Sequence, residues 1–151
     1  MYRRSVYIIA KRSVPNPTLA TFDATSRSYC VVRRQKTNTP LQALVTLNDP
    51  TFVEASRSIG EQMTKSGNSN AGIVLAYRKL TGISPSQKEV ELLKLLQQTE
   101  EKKFKTHPEK TNGWLKSGQY VVDKNLDPAI VAANAVVAST ILNSDAAITK
   151  R

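Results

Sequence analysis

The placement of its prolines constrains this chain more than any other feature. Five of the seven stand where a helix would begin. Proline suits the first helical position because its missing N–H would be unpaired there anyway, and its fixed φ is already helical. Thr39-Pro40-Leu41-Gln42 reads as a capping box, with threonine as the cap, proline first and glutamine third. Ser84-Pro85-Ser86-Gln87 repeats that pattern, and Asp49-Pro50 and Asp127-Pro128 carry aspartate caps. His107-Pro108-Glu109 is a weaker start, because histidine caps poorly.

The apolar spacing behind these starts is helical. Phe52, Ala55, Ser56, Ile59 and Met63 recur at three- and four-residue steps after Pro50. Ile73, Val74, Tyr77 and Leu80 form a second stripe, which Gly82 closes in the C′ position. Val90, Leu92, Leu93, Leu96 and Phe104 form a third, with lysine and glutamate on the opposite face. The last, Ile130 through Leu142, is apolar on most sides and so predicts the most buried helix. Ser66 to Asn70 reads as a turn-rich loop, and Gly113 to Asn125 as irregular chain anchored by Trp114 and Tyr120. The best strand candidates, Tyr29 to Val32 and Tyr120 to Val122, are short. The prediction is a mostly α fold: an irregular bundle of about five or six helices behind an extended basic N-terminal segment. Residues 1–151 form one domain, with 1–36 as the basic segment plus one short helix, Arg3 to Arg12, which Val14-Pro15-Asn16-Pro17 breaks. Residues 37–151 are the helical core.

Charge is distributed unevenly. The net charge is +10, and residues 1–36 hold eight lysines and arginines against Asp23 alone. Such a patch suits nucleic acid, an anionic polysaccharide or an acidic neighbouring domain. The arginines come as adjacent pairs, Arg3-Arg4 and Arg33-Arg34, whose side chains diverge on a helix or a strand, and no nucleic-acid motif appears. Nucleic acid is therefore the least favoured of these partners. No run of about 18 apolar residues is present, so no membrane span is expected. Met1 to Ala10 lacks the h-region and cleavage site of a signal peptide.

The residues that carry chemistry are few. One cysteine, Cys30, and one histidine, His107, provide no zinc spacing, and no C-x-x-C-H is present for covalent haem. No cofactor is expected in this chain, which also lacks a Walker loop and a G-x-G-x-x-G. A Ser-His-acid triad would have to use His107, on a charged helix end beside Pro108. Asp23, in Thr21-Phe22-Asp23-Ala24, is the acid of most interest, since Asp49 and Asp127 are explained as caps. It has two readings: an ion pair with Arg33 or Arg34, or half of an acid/base site in which those arginines take part.

Several of these segments together resemble a known family. They are Arg3-Arg4-Ser5-Val6-Tyr7, Pro15 to Ala24, Arg33-Arg34 leading into Thr37-Asn38-Thr39-Pro40-Leu41-Gln42-Ala43-Leu44, Leu47-Asn48-Asp49-Pro50 with Phe52 to Ala55, and Asp127-Pro128 through Asp145. The chain is similar to the C-terminal domain of unknown function in planctomycete-type exported proteins, whose N-terminal part often carries a cytochrome-c-like haem domain. The closing helix departs from that family's tryptophan- and leucine-richer pattern, reading Ala132-Ala133-Asn134-Ala135. The resemblance implies a module at the C-terminus of a larger polypeptide, a location in the periplasm or at the cell surface, haem in an upstream domain, and Met1 as a truncated or engineered start. It establishes no catalytic residue. Three functions are left open: a non-catalytic packing or interaction module whose partners are upstream domains; part of an active site for carbohydrate or redox chemistry, using Asp23, Arg33 and Arg34; and polyanion binding by the N-terminal segment.

Overall fold

The computed structural model describes residues 7–9, 11, 13–25, 30–33 and 37–148. Among them it is mostly helical, as the proline spacing predicts. In chain order the helices are α1 (Pro17–Thr21), α2 (Pro40–Asn48), α3 (Pro50–Lys65), α4 (Ser69–Thr81), α5 (Gln87–Thr106), a 3-10 turn (Pro108–Lys110), α6 (Thr111–Leu115), α7 (Pro128–Leu142) and α8 (Asp145–Ile148). The chain divides into two compact units, Met1–Val45 and Thr46–Arg151. Neither strand candidate is a strand over its described residues.

Most helix starts obey their caps. Asp49 accepts a 2.8 Å hydrogen bond from Thr51 N–H, and Asp127 accepts one of 2.8 Å from Ala129 N–H. Thr39 and Gln42 exchange both bonds of a capping box, each 3.4 Å long. Gly82 ends α4 at φ 80°, a backbone that only glycine adopts without strain.

Two local expectations are corrected. The cap of α5 is Ser86, not Ser84: Ser86 and Glu89 form the capping box, so the helix starts two residues after Pro85. Glu89 outcompetes Gln87 there because a carboxylate accepts the Ser86 N–H more strongly than a neutral amide. Asn16-Pro17 starts a helix rather than only breaking one, with Asn16 Oδ1 accepting from Leu19 N–H at 3.2 Å. The helix expected over Arg3 to Arg12 falls largely outside the described residues; of those described, Tyr7 is in a 3-10 turn and Ile8, Ile9 and Lys11 are not helical.

The second unit is built around α7, which packs against α3, α4, α5 and α6. Val131 to Ala135, Val137, Ala138, Ser139 and Ile141 are all buried, as its apolar composition predicts. One cluster joins Val137, Ala138 and Ile141 to Met63, Ile73, Ala76 and Tyr77. A second joins Ala129, Ala132 and Ala133 to Phe104, with Trp114 against it. Each fully buried Ile or Val contributes about 1.5–3 kcal/mol relative to exposure. Small residues bring α3 and α7 together. A Cβ at Gly60 would stand 2.8 Å from Ala135 N, a backbone atom that cannot give way.

Asn134 interrupts this apolar helix at 1% exposure. It belongs to a directional relay in which each donor has an acceptor. Ser69 Oγ donates to Gln97 Oε1, Gln97 Nε2 to Asn134 Oδ1, Asn134 Nδ2 to Thr64 Oγ1, and Thr64 Oγ1 to Gly60 O. The relay ties α4, α5, α7 and α3 in one register, because sliding any of them would strand a buried polar group.

Candidate functional site

In the first unit, the two segments that stand out in the sequence meet. The turn after α1 places Asp23 at φ 56°, a left-handed conformation that aspartate tolerates better than most residues. From there its Oδ2 accepts two 2.8 Å hydrogen bonds, from Thr37 N–H and Thr37 Oγ1. Gln42 completes the knot from the first turn of α2. Its Nε2 donates to Thr21 O at 2.9 Å and to Thr37 Oγ1 at 3.1 Å. Thr21-Phe22-Asp23 and Thr37-Asn38-Thr39-Pro40-Leu41-Gln42 are thus two halves of one clasp, and Gln42 is its buried centre at 2% exposure.

The clasp resolves the roles of the three candidate residues unevenly. Asp23 is half-buried and holds Thr37. Arg33 is exposed. Arg34 lies outside the described residues. Asp23 therefore has a structural task that neither sequence reading assigned to it, as acceptor for the segment leading into α2. His107 is exposed, with Nδ1 3.4 Å from Glu109 Oε1, as its place on a charged helix end predicts. Among the described residues, no three His, Cys, Asp or Glu side chains gather as a metal site, and no helix is long and apolar enough to cross a membrane.

The second unit contains an ionic site that the apolar stripe of α3 conceals. Glu54, Arg57 and Glu61 are 7%, 1% and 3% exposed. They face the strap between α6 and α7, which has no helix or strand of its own. Arg57 donates through one terminal nitrogen to Leu115 O and through the other to Tyr120 O. Its guanidinium carbon lies 5.8 Å from the centre of the Tyr120 ring, within cation–π range. Glu54 Oε1 accepts from Gln119 N–H at 2.7 Å and also from Tyr120 N–H. Gly118, at φ 82°, presents its Cα to the Glu54 carboxylate where any Cβ would collide. One turn along, Lys65 Nζ pairs with Asp123 Oδ2 at 2.8 Å.

The electrostatics follow the geometry. Burial raises the Glu61 carboxyl above its ordinary range, against the opposing pull of Arg57 and Lys65. The Lys65 hydrogen bond holds Asp123 below its ordinary range, and Asp123 raises Lys65 in return. Arg57 and Glu61 approach only to 4.0 Å and Arg57 and Glu54 to 3.9 Å, so the arginine's main partners are the carbonyls of Leu115, at the end of α6, and Tyr120, in the strap, rather than the two acids. Main-chain groups are read here by charged side chains, an arrangement suited to fixing a loop. It has neither an activated nucleophile nor two carboxylates facing an open cleft.

Among the described residues the fold is mostly α, and its polar clusters bind their own chain. The chain belongs to the PSD1 family of proteins of unknown function (DUF1553), whose family model matches residues 1–96. The match contains the clasp and α3, while the strap, α7 and the closing resemblance from Asp127 to Asp145 lie beyond it. No curated protein matches the chain, and no solved structure does.

Proposed function

We propose that this domain is a non-catalytic packing and interaction module of a larger exported polypeptide, and that its first unit seats against an upstream domain of that polypeptide. One observation carries the reading. Among the described residues of the first unit, Gln42 alone is buried, and it is polar. Among its described residues the unit has a hydrogen-bonded clasp and no buried apolar side chain. Meanwhile α2 has inverted polarity: Gln42 and Thr46 are buried, while Leu41, Leu44 and Leu47 are 54%, 56% and 49% exposed on one broad face. Tyr7, Ile9, Val14 and Val32 are exposed as well. A helix buries its apolar face against another element, and an uncovered apolar face of this kind marks an interaction surface.

Charge selects the occupant. Two copies of a chain with net charge +10 repel, which disfavours self-association. The eight basic residues of 1–36 call for an acidic rim around an apolar centre. The resemblance supports a haem-bearing domain upstream and a location in the periplasm or at the cell surface. A second reading, polyanion binding, is favoured by the exposure of Arg33 within the same basic segment.

The test is titration of the separately expressed upstream region of the natural polypeptide with this chain, followed by calorimetry. Binding weakened at least about tenfold by Leu44→Gln, with the melting temperature unchanged, supports the module reading. Association that ignores Leu44→Gln but disappears with salt and with Arg33→Ala favours the polyanion reading. Absence of association overturns the module reading.

A further inference from the structure

We infer that the strap, residues 117–126, is a proton-linked latch on α3: it closes over Glu61 when that carboxyl is protonated and lifts more readily when it is ionised. The strap is built to open by itself. No residue from Ser117 to Leu126 is buried, although Val122 and Leu126 are half-buried. Tyr120 and Val121 are 47% and 78% exposed. Apolar burial therefore contributes little to its docking. Its hold on α3 is made by charged side chains: Glu54 accepts from the Gln119 and Tyr120 N–H groups, Arg57 donates to Tyr120 O, and Lys65 pairs with Asp123. A segment with few buried apolar contacts opens at lower free energy than the helices beneath it.

Glu61 is the member of the cluster that docking leaves unsatisfied. Its side chain is 4% exposed. Its Oε1 and the Arg57 Nε are both buried, and neither has a hydrogen-bond partner among the described residues. At 4.0 Å the two do not bond each other. An ionised carboxylate is costly in such a place, and water admitted by a lifted strap removes that cost. The other groups around it do not supply the missing donor. On the strap, Asp123 is paired with Lys65, Tyr120 lies over Arg57, and Lys124 is exposed. Helices α6 and α7 carry no charged side chain, and on α4 Tyr77, Arg78 and Lys79 bond Glu89, Ser84 and Gln62.

The sign follows from linkage. Burial lifts the docked Glu61 carboxyl above its ordinary value, 4.5, with Asp123 adding to the lift and Arg57 and Lys65 opposing it. Lifting the strap returns it to the ordinary value, so opening releases a proton between the two. Opening is therefore favoured as pH rises through that interval, by at most about tenfold per pH unit for one proton, and is level above it. On the acid side the trend reverses. Lys65 holds Asp123 below its ordinary range, so that ion pair is lost, and the strap loosened, only at lower pH. The latch lies wholly in the second unit and does not depend on how the first unit docks.

The experiment is hydrogen exchange of the full chain across a pH series, corrected for the intrinsic rate at each pH, with the Gln119 and Tyr120 amides reporting the strap. Their opening constant is expected to rise about threefold or more as pH climbs from about 4.5 and then to level off. They should open more readily than the amides of α7 throughout. Glu61→Gln should abolish the rise and keep the acid-side loosening, whereas Glu109→Gln, an exposed acid outside the cluster, should keep both. The Glu61 side-chain carbon shift of the wild type gives a reading that needs no variant, and it should titrate above the ordinary value. The inference is overturned if the strap opening is flat over this interval, if the rise persists in Glu61→Gln, or if Glu61 titrates at the ordinary value. Exchange of Gln119 and Tyr120 only together with α7 would overturn it as well, since the strap would then not open alone.

Discussion

Replacing Arg57 with methionine tests the ionic ladder of α3 directly. Methionine keeps the helix and most of the apolar stem but removes the guanidinium. Glu54 and Glu61, at 7% and 3% exposure, then lose the cation between them, and the carbonyls of Leu115 and Tyr120 lose their donor. Breaking a buried ionic cluster by deleting one partner costs about 3–5 kcal/mol, because charge is left buried without compensation. For a domain of this size each kcal/mol lowers the melting temperature by about 2–4 °C, so the expected drop is about 6–20 °C. Urea denaturation and calorimetry measure the loss. Hydrogen exchange locates it, since the Gln119 and Tyr120 amides that Glu54 holds should lose protection before those of α7. The compensated variant Arg57→Met/Glu54→Gln/Glu61→Gln should recover most of the loss, because no buried charge then remains in the ladder. A drop below about 1 kcal/mol for Arg57→Met alone, within the range of ordinary surface changes, would refute the argument that the strap is held by this arginine.

Three other outcomes are expected. Gly60→Ala should destabilise by about 1–3 kcal/mol in thermal melts despite alanine's better helix propensity, because the new methyl meets the α7 backbone at Ala135. Asp23→Ala should cost roughly 1.5–3 kcal/mol through the two bonds it accepts from Thr37, and Asp23→Asn should cost less, since it retains an acceptor oxygen and tolerates the left-handed backbone; equal losses would count against the clasp. Glu89 is held below the ordinary carboxylate range by the Ser86 hydroxyl first and then by the Tyr77 hydroxyl and the Ser86 N–H. Its stabilisation is therefore present above the unfolded value, about 4.3, and is lost as pH falls through the lower folded value. Glu61, raised by burial, has the opposite sign: its ionised form opposes folding, so its penalty is relieved as pH falls through its raised value. Stability curves against pH should therefore converge at low pH for wild type and Glu89→Gln, while Glu61→Gln should gain relative to wild type toward neutral pH.

Where a feature depends on a few consecutive residues, it was legible in the chain. Asp49-Pro50, Asp127-Pro128 and the Thr39–Gln42 box start helices because cap oxygen and orphan N–H lie within three residues of each other. Gly82 closes α4 for an equally local reason, its freedom at positive φ. The burial of α7 follows from composition alone, since a helix apolar on most sides has no solvent face to offer. The neighbouring Ser84 and Ser86 caps were not separable in this way, because both fit the local pattern and only the Glu89 bond selects between them.

Tertiary structure decided the rest, and the reason is distance along the chain. Glu54, Arg57 and Glu61 have the spacing of salt bridges on a solvated helix face, so nothing local marks them as buried. Their burial depends on a strap some sixty residues downstream, which presents its backbone to them. The clasp is similar: the turn after α1 brings Asp23 to Thr37, fourteen residues away, which no periodicity reports. The leucines of α2 carry the inverse lesson. Leu41, Leu44 and Leu47 are exposed, while the two residues that this helix buries are polar, Gln42 and Thr46, because acceptors distant in the chain take their hydrogen bonds: Thr21 O for Gln42 and Asn143 Oδ1 for Thr46.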